Sequence, residues 1–121
     1  MDKETAEWVF IAEGDSESAK MLNSAYRPNN ETIYWHCSQA IEKYLKGYLK
    51  YNNINFNWDH DIETLMSKCT AMNKSFSQFE EQCIGASIFN FCKCINRNAC
   101  PFRHYFFAYS SPPSCTIQVT P

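Results

Sequence analysis

A chain of 121 residues with 45% hydrophobic and 16% aromatic content is long enough for one globular unit with a core and too apolar for a disordered segment. Its net charge of -2 is no global signature of a nucleic-acid binder, so any phosphate recognition has to be local. The acidic start Met1-Asp2-Lys3-Glu4 argues against a secretory signal, and no apolar run approaches the roughly 18 residues of a membrane span. Seven cysteines, an odd number with no signal peptide, are read as mostly free thiols of a cytoplasmic protein.

From Lys3 to about Ser24, Trp8, Ile11, Ala12, Ala19 and Leu22 recur at helical spacing, with Val9 and Phe10 widening the stripe, and predict a first helix. Tyr26-Arg27-Pro28-Asn29-Asn30 ends it, because proline disfavours helical geometry in the residue before it and asparagines suit turns and caps. A second helix runs from about Glu31 to Tyr51. Cys37, Ala40, Ile41, Tyr44, Leu45, Tyr48 and Leu49 form its apolar face, while Gln39, Glu42, Lys43, Lys46 and Lys50 line the flank and far side. Glu42 stands one turn before Lys46, the better orientation for a helical ion pair, yet such a pair contributes only about 0.2 to 0.5 kcal/mol and does not explain the cluster.

After the polar loop of Asn52, Asn53, Asn55 and Asn57, Asp59 or His60 is placed to cap a short third helix carrying Ile62, Leu65, Met66 and Cys69. Ser75 and Gln78 have capping-box spacing and predict a fourth helix through Phe76, Phe79, Cys83 and Ile84. Periodicity weakens after about Phe91, where Pro101 and Ser110-Ser111-Pro112-Pro113-Ser114 predict an irregular tail. The expected fold is therefore all-α, an antiparallel up-down bundle of about four helices over residues 1–91 followed by an irregular segment over 92–121. Cys37, Cys69 and Cys83 lie on apolar stripes and should pack as small core residues.

Several of these residues together resemble the HEPN domain family of small helical proteins. Trp8, Ala12, Asp15 and Ala19 resemble its first helix. The stretch from Trp35 to Leu49, with Gln39-Ala40, Glu42-Lys43 and Leu45-Lys46, is similar to its most recognisable signature. His60-Asp61-Ile62 followed by Leu65 resembles the histidine-aspartate motif that opens the next helix. The likeness covers roughly residues 5 to 83. It implies a binding or accessory role toward a nucleotide or a minimal nucleotidyltransferase partner, and a homodimer or such a complex as the assembly. Beyond Cys83 the chain departs from the family's arginine-tyrosine-proline element and long closing helix. All thirteen acidic residues precede Gln82, and cysteines and aromatics become enriched, a pattern that a reading-frame change in the coding sequence would produce.

The first candidate site joins Gln39, Glu42, Lys43 and Lys46 of the second helix to His60 and Asp61. Lysine meets a phosphate as a point charge, glutamine reads a base edge, and helix N-terminal amides favour anions. The commoner use of such residues is structural, with His60 and Asp61 capping a helix and bonding across the bundle. The second candidate pairs Arg97 with His104, matching the spacing of the family's ribonuclease branch, where histidine transfers a proton and arginine stabilises phosphate charge. Pro101 between them disfavours the single helix that branch uses. A third reading, an oligomerising interaction module, needs no ligand. Cys92, Cys94, Cys100 and His104 suit zinc by ligand type but not by knuckle spacing, so neither a metal nor another cofactor is expected. Tyr44, Tyr48 and Trp35 have rings able to stack on bases, although aromatics at helical spacing more often form core.

Overall fold

Asp2 starts the first helix, α1 (Lys3–Asn23), by accepting hydrogen bonds from the Thr5 backbone N–H at 2.8 Å and the Thr5 hydroxyl at 2.9 Å. The Thr5 amide, and then its hydroxyl, hold the Asp2 carboxyl below the usual carboxylate range. The same hydroxyl contact lets Thr5 be buried with its polar group satisfied. In this computed structural model the described residues are 2–56, 59–81, 83, 102, 105 and 106. The expectations for Ile84, Cys92, Cys94, Arg97, Cys100 and His104 lie outside them.

The buried stripe of α1 is Thr5, Val9, Ala12 and Ala19, narrower than the sequence predicts. Phe10 is 74% exposed and Ile11 46% exposed. Each residue turns the helix by about 100°, so the two positions after Val9 rotate off the face that Val9, Ala12 and Ala19 share. That face is small-sided, which lets α1 lie close against the next helix.

Asn29 caps α2 (Asn30–Tyr51), its side chain accepting from the Thr32 N–H at 3.1 Å. The helix ends in a Schellman arrangement. Asn53 takes a positive φ of 58°, Ile54 N–H reaches Leu49 C=O at 2.8 Å, and Asn53 N–H reaches Lys50 C=O at 3.0 Å. Ile33, Cys37, Ala40, Ile41, Tyr44, Leu45, Tyr48 and Leu49 of α2 are all buried, making it the central helix. α1 runs antiparallel along it. Gly47 marks their close approach, because a Cβ there would sit 3.2 Å from Trp8 Cβ and 3.5 Å from Val9 Cγ2.

The cap of α3 (Ile62–Met72) is Asp61, not Asp59 or His60. Asp61 accepts from the Thr64 N–H at 3.2 Å and its hydroxyl at 2.9 Å, whereas Asp59 is drawn to Lys68 at 2.7 Å. Leu65, Met66 and Cys69 face the core as expected. The predicted fourth α-helix is instead a 3₁₀ helix over Lys74–Phe79, capped by the Asn73 side chain on the Ser75 N–H at 3.0 Å. Three residues per turn put Phe76 and Phe79 directly in line, and both are buried.

Three residues from the segment expected to be an irregular tail, Phe102, Tyr105 and Phe106, belong to the core. Tyr105 stacks on Phe76 at 4.1 Å, Phe102 meets Phe79 at 5.2 Å, and Tyr48 lies 4.7 Å from Phe76 and 5.5 Å from Tyr105. The Tyr105 hydroxyl bonds to Ser75 at 2.8 Å. Aromatic area of this size is too costly to leave in water. Cys69 and Cys83 are free and buried, in line with core packing, whereas Cys37 is buried and disulfide-bonded. The fold is all-α, and among the described residues no helix is long and apolar enough to cross a membrane.

Candidate functional site

The polar residues of α2 divide between two networks rather than forming one pocket. The first lies on the seam between α1 and α2. Spacing of three, four and seven residues puts His36, Gln39 and Lys43 along one edge of α2, facing Asp15 of α1. One Asp15 oxygen lies 3.0 Å from His36 Nδ1 and the other 3.2 Å from Lys43 Nζ. Lys43 Nζ also donates to Gln39 Oε1 at 2.8 Å. All these side chains are partly buried, with Lys43 20% and Asp15 14% exposed. An ammonium carries three N–H donors. Two are engaged here, and the Gln39 amide N–H groups have no partner among the described residues. The edge of the indole or imidazole of the neighbouring pair Trp35 and His36 meets the other ring's face, with centroids 5.0 Å apart.

The second network joins α2 to the start of α3. Lys46 is only 4% exposed. It donates to Glu42 Oε2 at 2.8 Å and to His60 Nδ1 at 3.0 Å. The rings of Trp8 and Phe56 lie 5.4 Å and 5.8 Å from its ammonium, within cation–π range. His60 Nδ1 also stands 3.2 Å from Glu42 Oε2. One ring nitrogen cannot accept from Lys46 and donate to Glu42 at once, so the neutral ring with its proton on Nε2 suits Lys46, and a proton on Nδ1 suits Glu42. Asp61 points its carboxylate at Thr64 as the cap of α3.

Of the six residues singled out from the sequence, Gln39 and Lys43 thus sit on the α1–α2 seam, Glu42 and Lys46 in the second network with the exposed His60 at its rim, and Asp61 at a helix start. Arg97 and His104 lie outside the described residues. Asp15 and His36 were readable only as parts of a family resemblance, though the spacing of His36 to Gln39 and Lys43 carries the signal that they share a face. Tyr44 and Tyr48 are core, while Trp35 is 55% exposed. No group of three or more metal-ligating side chains occurs among the described residues.

A three-helix arrangement with a central α2, a polar α1–α2 seam and an aspartate-capped α3 is a small helical module. A family model described as HEPN domain matches residues 5–97, most of the chain and beyond Cys83, where the resemblance read from the sequence stops. The chain belongs to the HEPN domain family. No match was found among curated proteins or among solved structures.

Proposed function

We propose that the chain is an accessory binding module whose α1–α2 seam takes a nucleotide, either free or presented by a nucleotidyltransferase partner. One observation carries this reading: the seam keeps N–H donors that no described residue engages. Both Asp15 oxygens and Gln39 Oε1 are occupied by His36 and Lys43. The donors left over are the remaining Lys43 N–H and the Gln39 amide, and with the charge of Lys43 they suit an acceptor-rich anion such as a phosphate. Lys46, 4% exposed and facing Glu42, His60 and two rings, is out of reach of a ligand and serves as scaffold in this reading.

Calorimetric titration with AMP tests it. Native protein should bind, and Lys43→Ala should weaken binding by about ten- to a hundredfold, the loss of one charge-assisted contact worth about 1.5 to 3 kcal/mol. Equal affinity of native and Lys43→Ala proteins, with both folded by circular dichroism, would remove the seam from the binding role.

A further inference from the structure

We propose that Trp35 is the nucleobase platform of this site, so that its ligand is recognised by an aromatic ring as well as by phosphate. The inference rests on the reading of the seam as a phosphate site and adds the half of the ligand which that reading leaves open.

Trp35 is a large apolar ring left 55% exposed on a helix whose other two stacking candidates, Tyr44 and Tyr48, are buried. Its place is not isolated. It stands one turn before Gln39 on the same edge of α2 and next to His36, whose ring it meets at 5.0 Å and 81°. His36 is itself tied to Asp15 across the helix seam at 3.0 Å. A ring braced by a second ring, which is braced by a carboxylate on another helix, loses little freedom when a base stacks on it, and such preorganisation favours binding.

The remaining exposed apolar side chains lack this setting. Phe10 and Met21 lie on the outer side of α1, and Tyr26 lies beyond its end beside Arg27 at 5.9 Å. Only Trp35, among the described residues, combines an open ring with the donor edge of Gln39 and Lys43. Those donors are one and two turns further along α2, a rise of about 6 to 12 Å. A ribose carrying 5′ phosphates puts an interval of this kind between a base and its anionic oxygens. Every base offers a π-face, so the platform selects a nucleobase without choosing which.

Titration of the full chain with AMP, ribose 5-phosphate and inorganic phosphate separates the two halves of the ligand. Native protein should bind AMP about tenfold more tightly than ribose 5-phosphate, the scale of one base stacked on one aromatic ring. Trp35→Leu should abolish that preference and leave ribose 5-phosphate affinity unchanged, Trp35→Phe should keep part of it, and Lys43→Ala should weaken both ligands alike. Native protein that binds AMP and ribose 5-phosphate equally, or a folded Trp35→Leu protein that still prefers AMP, overturns the platform while the phosphate reading stands. Native protein that binds none of the three ligands overturns both.

Discussion

Lys46 is the residue whose role changes most between sequence and structure. One turn after Glu42, it reads as half of a surface pair worth a few tenths of a kcal/mol, but at 4% exposure it belongs to another regime. Removing one partner of a buried pair leaves the other charge without compensation, whereas replacing both with apolar groups is often neutral. Lys46→Met should therefore cost about 3 kcal/mol in urea unfolding, and the double variant Glu42→Leu with Lys46→Met should recover more than half of it. A single-variant cost below about 1 kcal/mol would mean that the pair behaves as an exposed one. Spacing along a helix reports which residues are neighbours and not how much water reaches them, which is why Glu42 and Lys46 were visible as a pair but not as a buried one. Asp15 and His36, 21 positions apart, were not visible as a pair at all, since their meeting depends on how α1 docks on α2.

Elements were more legible than sites, because their ends are fixed by nearest neighbours. The asparagines after Pro28, the Asn52-Asn53 stop and the acidic residues before Ile62 all mark true boundaries. Asp59, His60 and Asp61 all stand as candidates for the cap of the third helix, and the reach to Thr64 selects the last, the cap of the structural reading and not of the periodicity. Asp61→Ala should lower stability by about 1 kcal/mol, read from the denaturation midpoint, while Asp59→Ala, which frees Lys68 on the surface, should cost less than half as much. The 3₁₀ segment was not legible, since Phe76 and Phe79 fit either helix type and their ring contacts with Phe102 and Tyr105 decide it. The α1–α2 docking itself turns on Gly47. A Cβ there already crowds Trp8 at 3.2 Å, so the branched side chain of Gly47→Val has to push α1 away, at about 2 to 3 kcal/mol. A Gly47→Val protein that melts like the native one would show that the helices separate without cost.

At the scale of the whole molecule, burial has two consequences that stability measurements read. Cys69 and Cys83 are pushed by burial from an ordinary thiol value of 9.0 up to about 12. A folded-state pKa raised above the unfolded one favours the protonated, folded form. The contribution is complete below about 9 and is lost as pH rises from there towards 12. Stability should decline across that window, and less so in a Cys69→Ala, Cys83→Ala double variant, whose thermal midpoints over the same pH series supply the check. The second consequence concerns where the folded unit ends. Weakening periodicity and the proline at 101 mark residues after 91 as a tail, yet Phe102, Tyr105 and Phe106 are spaced by three and one, a helical face in miniature, and all three are buried against Tyr44, Tyr48, Tyr51, Phe76 and Phe79. A chain ended at residue 101 loses these rings together and opens the far side of the core. Each large aromatic removed from a core costs about 3 to 5 kcal/mol, and the sum reaches the 5 to 15 kcal/mol that holds an ordinary domain folded. The shortened protein should keep its far-ultraviolet helical signal, because α1 and α2 retain their caps and mutual contacts, while losing its cooperative melt and binding ANS at the uncovered Tyr48 and Phe76 surface. A sharp transition within a few degrees of the full chain, without ANS binding, would place the three rings outside the stabilising core and the end of the folded unit before residue 102.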